Sequence, residues 1–198
     1  MENFSGWLAL FFSSSFFTGF ITQLLPKKFL KKRRAGGGVA GSMVGAVILF
    51  FLFRSDAQFH IYNMILCLFS IAALFSIQPA EKMMLAKWGP RLRHDKTTSD
   101  HDFNETNIDE IIGQLIAGIW IFTLPNEFLS GIWNLAQLVL ISFIFFRICD
   151  SGKFFGIDET EKLCYRGDWT YSIILDDVLA GAYAAVFSLG FFWAIRFP

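Results

Sequence analysis

The chain has 198 residues, 54% of them apolar and 25 of them phenylalanine, with a mean hydropathy of +0.48. That is too oily for a soluble domain of this length, and the apolar residues come in long runs, so the expected class is an α-helical integral membrane protein. The formal net charge is zero, with 17 basic and 17 acidic side chains, but these collect between the runs, and no nucleic-acid partner is expected.

Run one covers residues 4–25 and is long enough to span a bilayer, although Ser13, Ser14, Ser15 and Gln23 dilute it. It lacks the basic start and small-residue cleavage site of a signal peptide, so a retained helix is expected, ended by Pro26. A basic block follows: Lys27, Lys28, Lys31, Lys32, Arg33 and Arg34. Run two, 39–53, is short and enters through Gly36, Gly37 and Gly38. Gly37, Gly41 and Gly45 recur every fourth residue, which leaves one helical stripe bare. Such a stripe permits close helix contact, or exposes backbone N–H groups at a helix start to a phosphate. Run three, 59–77, is featureless apart from Cys67. The polar segment 78–107 holds His94 and His101, read as solvated loop residues. Run four, 108–124, opens with Asp109 and Glu110, and Pro125 and Asn126 turn the chain. Run five, 128–148, is closed by Arg147 and Asp150; run six, 173–195, carries Asp176 and Asp177. Cys67, Cys149 and Cys164 have no metal-site spacing, and disulfides are not expected.

Six spans put the segments 26–35, 78–107 and 147–172 on one face. These hold six, five and four Lys/Arg, against Arg54 and Arg196 on the other, so the first face reads as cytosolic and both termini as outside it. Trp120, Trp133 and Trp193 then fall near outer helix ends, and Trp169 and Tyr171 near an inner one, as an aromatic belt would. Asp109, Glu110, Arg147, Asp150, Lys153, Asp176, Asp177 and the glycine-rich entry to run two converge on that cytosolic face.

Five carboxylates around one site need cations to stay ionised. The hard-cation solution is Mg²⁺, which takes oxygen ligands and shares them with substrate phosphate. Arg147 and Lys153 beside such a site suit a phosphate monoester, whose transition state needs its charge neutralised. Adjacent carboxylates on a helix point about 100° apart, so Asp176 and Asp177 are expected to do different jobs, one ligating metal and one orienting a water or lysine, and Asp109 and Glu110 likewise. Small residues follow the acids at a spacing of four: Gly113 and Ala117 after Asp109, Ala180 and Ala184 after Asp176, Gly181 and Ala185 after Asp177. These are packing faces, and packing them would draw the acidic helix ends together. No P-loop and no G-x-S-x-G is present.

Three ordered blocks resemble the phosphatidylglycerophosphatase A family. N-I-D-E-I-I-G-Q resembles its I-D-E-x-x-G block, F-R-I-C-D-S-G-K-F-F-G-I its F-R-x-x-D-x-x-K-P-x-P-I block, and I-I-L-D-D-V-L-A-G-A-Y-A its G-I-M-L-D-D-x-x-A-G-x-x-A block. A weaker fourth, V-A-G-S-M-V-G, resembles P-G-T-x-G-S. The resemblance implies a membrane-embedded, Mg²⁺-dependent phosphatase that converts phosphatidylglycerophosphate to phosphatidylglycerol. Carried over by position, Asp109, Asp150, Lys153 and Asp177 would be catalytic, and Arg147, Lys153, Gly41 and Ser42 would bind substrate. Asp109, Glu110, Asp150, Asp176 and Asp177 would be metal ligands. The chain departs from the pattern where Phe154 and Gly156 replace two prolines, where Ser42 replaces Thr, and where Arg166-Gly167-Asp168-Trp169 replaces a glycine-rich turn.

The expectation is thus an all-α polytopic bundle of about six transmembrane helices with its catalytic residues at cytosolic helix ends. Residues 1–34 would form an accessory helix and basic loop, and 35–198 the phosphatase-like domain, in a bacterial inner membrane with a phospholipid substrate. The attacking group, water or an aspartate, is left open. The rival readings are an acid-lined divalent-cation transporter and a non-catalytic relative.

Overall fold

The computed structural model describes residues 4–15, 37–55, 59–89, 91–92, 98–99, 106–129, 132–153, 156–157, 159–160 and 172–196. The basic block 27–34, His94, His101, Phe154, Lys162, Cys164 and the stretch Arg166–Trp169 with Tyr171 lie outside the described residues.

The helices are α1 (Phe4–Ser13), α2 (Gly37–Arg54), α3 (Phe59–Trp88), α4 (Ile108–Ala117), α5 (Asn126–Leu129), α6 (Ile132–Gly152) and α7 (Ser172–Arg196). A two-residue antiparallel ladder, β1 (Arg91–Leu92) with β2 (Thr98–Ser99), sits between α3 and α4. Among the described residues, three helices are long and apolar enough to cross a membrane: Phe59–Trp88, Asn134–Gly152 and Ile173–Arg196. Gly38–Arg54 is a shorter apolar helix. At 1.5 Å per residue, α3 is about 45 Å long, well over a hydrocarbon core of about 30 Å.

Two boundaries differ from the sequence reading. α3 runs through Pro79 to Trp88, into the segment expected to be polar loop. Residues 80–88 are good helix formers, and Pro79 removes only one backbone bond from a helix already nucleated. Run four does not stay α-helical. α4 stops at Ala117 and continues as a 3-10 helix over Ile119–Thr123. Gly118 and the β-branched residues Ile119, Ile121 and Thr123 weaken the α-helix there. The freed polar groups find partners, since the Leu115 carbonyl accepts from the Tyr62 hydroxyl at 2.6 Å and from the Gly118 N–H at 3.0 Å.

Trp120 is not part of an aromatic belt. It is 2% exposed, and its indole N–H donates to Ser142 Oγ at 2.8 Å, because a buried ring N–H needs an acceptor. Trp193 is exposed, as a belt residue would be.

α1 also departs from expectation. It packs along the C-terminal third of α3, with Leu10 in a cluster with Ala80 and Met84, and Lys87 Nζ 4.3 Å above the Trp7 ring. The Ser13 carbonyl accepts the Asn107 N–H at 3.0 Å. The start of α1 therefore lies beside the Lys87 end of α3, not at the opposite end as an outside-first span would require. Buried hydroxyls account for this placement: Ser13 and Ser14 both bond back to the Leu10 carbonyl and are shielded by protein, not by lipid.

The main core joins α2, α3, α4, the 3-10 helix and α6 through Leu49, Tyr62, Ile111, Leu115, Ile121 and Leu138. The outside carries many large apolar side chains. Phe51, Met64, Leu68, Phe75 and Val186 are each more than 60% exposed, which is the surface a bilayer would cover.

Candidate active site at one end of the bundle

The first turn of α4 and the first turns of α7 meet because the seam behind them is almost bare. A Cβ on Gly181 would collide with the Gly113 carbonyl, and one on Gly113 would lie 2.8 Å from the Asp177 carbonyl and 2.5 Å from the Phe146 ring. The small faces read from the sequence are thus the α4–α7 contact, and they bring the acids within reach of one another. Asp109, Glu110 and Asp177 each present a carboxylate oxygen, and the three oxygens lie within 4.8 Å of one another. Asp109 is 4% and Asp177 5% exposed.

α2 supplies the opposite wall. Gly41 lies against the Asn107 carbonyl and Glu110 Cβ, and Gly45 against the Gln114 side chain. A Cβ on Gly38 would strike Glu110 Oε1 and lie 3.5 Å from Arg147 Nη1. The bare stripe is therefore a helix contact at Gly41 and Gly45, and Gly38, beside the stripe, makes room for a carboxylate and a guanidinium.

The cations come from the end of α6. Arg147 Nη1 lies 3.1 Å from Asp150 Oδ2 and donates to Ser42 Oγ at 3.0 Å; that hydroxyl in turn donates to the Gly38 carbonyl at 2.7 Å. Lys153 Nζ donates to Asp150 Oδ1 at 3.3 Å and to Asp176 Oδ2 at 2.9 Å. Lys153 closes α6 with φ +47°, its N–H bonded to the Cys149 carbonyl at 3.0 Å. That left-handed slot favours glycine, and holding a lysine in it costs on the order of 1 kcal/mol or more. The strained backbone aims the amine back over the helix end onto both aspartates.

The seven charged residues singled out by sequence therefore stand together but in two groups. Asp109, Glu110 and Asp177 form a carboxylate cluster. Arg147, Asp150, Lys153 and Asp176 form an ion-paired chain beside it. Asp176 and Asp177 part company: Asp176 faces Lys153, and Asp177 faces the acids of α4, whereas Asp109 and Glu110, with the same spacing, turn oxygens into one cluster. The Asp177 N–H donates to Asp176 Oδ1 at 3.1 Å, and the Glu110 N–H likewise to Asp109 Oδ1 at 3.1 Å.

The residue that sequence reasoning missed is Gln114, one turn after Glu110. It is fully buried, and among the described residues neither its amide oxygen nor its amide nitrogen has a hydrogen-bond partner. Glu110 Oε2 is also buried and unpartnered. Unpaired buried oxygens in a cluster of carboxylates are what a hard divalent cation with its waters would satisfy, so the donor set fits such an ion.

The sequence model of phosphatidylglycerophosphatase A matches residues 11–192. The chain belongs to the phosphatidylglycerophosphatase A family. This is a phosphatase family, and its name gives the substrate class as a phospholipid. The match begins inside run one, earlier than the motifs, which start near Gly36. No curated protein and no solved structure matches the chain. All three motif blocks of the phosphatidylglycerophosphatase A resemblance contribute to the two groups of charges: the first gives Asp109 and Glu110, the second Arg147, Asp150 and Lys153, and the third Asp176 and Asp177.

Proposed function

We propose that this protein removes the terminal phosphate of phosphatidylglycerophosphate in a Mg²⁺-dependent reaction at the cytosolic face of a bacterial inner membrane. The observation that carries the reading is the buried cluster of Asp109, Glu110 and Asp177, whose oxygens lie within 4.8 Å of one another next to two cations. Asp109, Glu110 and Asp177 would hold Mg²⁺, and the ion would supply charge neutralisation at the phosphoryl group.

The chain's own residues do the rest. Arg147, anchored by Ser42 and Asp150, offers a planar fork that matches two phosphate oxygens. Lys153, held by Asp150 and Asp176, offers a point charge on the other side of Asp150. When phosphate enters, both cations exchange part of their aspartate pairing for substrate oxygens, which releases Asp150 to accept a proton from the attacking group. Gly41 and Ser42 keep α2 close enough for Arg147 to reach. The division of the chain into an accessory segment, 1–34, and a phosphatase domain, 35–198, belongs to the same proposal.

The test is release of inorganic phosphate from phosphatidylglycerophosphate by purified protein, with Mg²⁺ and with chelator. Release is expected with Mg²⁺ alone, falling at least ~100-fold in Asp177→Asn, the scale of losing one electrostatic group in a phosphoryl or acyl transfer site. Undiminished release in chelator, or full activity in Asp177→Asn, would overturn the assignment.

A further inference from the structure

The charged groups occupy one end of the α2–α6 contact. Along the same two helices runs an open groove of about 360 Å³, lined by α2 between Met43 and Phe51 and by α6 between Ala136 and Phe143. Every lining side chain is apolar. The volume lies within the ~300–1,000 Å³ of ligand-binding clefts.

The groove and the site share a register. On α2 the groove face is Ala46 and Phe50, and one turn earlier on that face is Ser42. On α6 it is Ala136, Leu140 and Phe143, and one turn later is Arg147. The next rung of the groove is therefore the Ser42–Arg147 hydrogen bond, 3.0 Å long and tied to Asp150. From Met43 to Phe51 the groove follows the helix axis for about 12 Å. An occupant would have one charged end, at Arg147, and one oily end, directed along the helices. Its floor is kept open by two alanines, Ala46 and Ala136, where a larger side chain would fill it.

We infer that this groove holds an acyl chain of the phosphorylated lipid, placing the lipid's phosphate end at Arg147. The inference rests on the phosphatase reading for its choice of lipid. It adds that the enzyme recognises the tail as well as the headgroup, and that α2 and α6 select between substrate and surrounding lipid.

The experiment uses the full chain in nanodiscs with phosphatidylglycerophosphate carrying a photoreactive diazirine on one acyl chain. Adducts are expected between Met43 and Phe51 and between Ala136 and Phe143. Excess unlabelled phosphatidylglycerophosphate should reduce them at least fivefold more than the same excess of phosphatidylglycerol. In Ala136→Phe the adducts should be lost and KM for the long-chain substrate should rise at least tenfold, while the water-soluble deacylated phosphate is cleaved at the parent rate. Adducts spread equally over the exposed Met64, Leu68 and Phe75 of α3, or indifferent to the competitor's phosphate, would mean the groove holds bulk lipid only and would overturn the inference. Because the crosslink needs no turnover, the two readings fail separately. Competed groove adducts without phosphate release sink the phosphatase reading alone, and phosphate release with scattered adducts sinks the groove alone.

Discussion

Gln114 is the residue whose chemistry is least settled by protein alone. Its amide is fully buried on the face that carries Glu110, against bare Gly45, with neither polar atom paired. An unsatisfied buried amide costs about 1–3 kcal/mol, so Gln114→Leu is expected to stabilise the metal-free protein by about 1 kcal/mol or more. For a chain of this length that raises the melting temperature by about 2–4 °C, read by thermal melting in detergent with chelator. A lower melting temperature would show that the amide has a partner. The charged residues were legible in the sequence because a carboxylate in an oily run is expensive and stands out, and Asp109, Glu110, Asp176 and Asp177 all do. Gln114 was not legible, because a neutral amide carries no such signal; only its spacing of four from Glu110 pointed to it. The Ser42–Arg147 bond was not legible either. It joins residues 105 apart in sequence, and no local rule pairs them.

At the scale of elements, the glycines of α7 make opposite predictions. Gly181 meets the Gly113 carbonyl, so Gly181→Ala must push α7 from α4 and part Asp177 from Asp109 and Glu110. A loss of about 1–3 kcal/mol in stability is expected, the usual cost of overpacking, with at least tenfold weaker binding by calorimetry of Mn²⁺, used as a stand-in for the Mg²⁺ proposed for the site. Gly190 has nothing within 4 Å, so Gly190→Ala should stabilise by up to about 1 kcal/mol through helix propensity and leave Mn²⁺ affinity unchanged. Equal effects from the two substitutions would refute the seam as the spacer of the carboxylates. The element limits show what periodicity can carry. α7 and α2 match their apolar runs because hydrophobicity and helicity end together there. α3 outlasts its run because residues 80–88, though interrupted by Glu81, Lys82 and Lys87, are strongly helix-forming, and α4 falls short because Gly118 interrupts a run whose hydrophobicity continues.

For the whole molecule, membrane character was written in composition, while the path of α1 was not. The start of α1 lies against the end of α3 that carries Lys87, and residues 16–25 of run one lie outside the described residues. Ser5 and Glu127 thus sit at opposite ends of the bundle. In a chain without Cys67, Cys149 and Cys164, Ser5→Cys should react with an impermeant maleimide from the side of the carboxylates, and Glu127→Cys from the other side alone. Labelling of both from one side would contradict the fold. The spacing of Asp109, Glu110 and Asp177 is set where the Gly181 backbone rests on the Gly113 carbonyl, with no rotatable side chain between. The large exposed side chains of α3 and of the outer faces of α6 and α7, by contrast, can adjust to bilayers of different thickness at modest cost. Adaptation to a thicker or more fluid membrane is then confined to the periphery. The chain can change its phenylalanines as its lipids change without retuning the carboxylates, whereas a single methyl group in the seam would be felt at once.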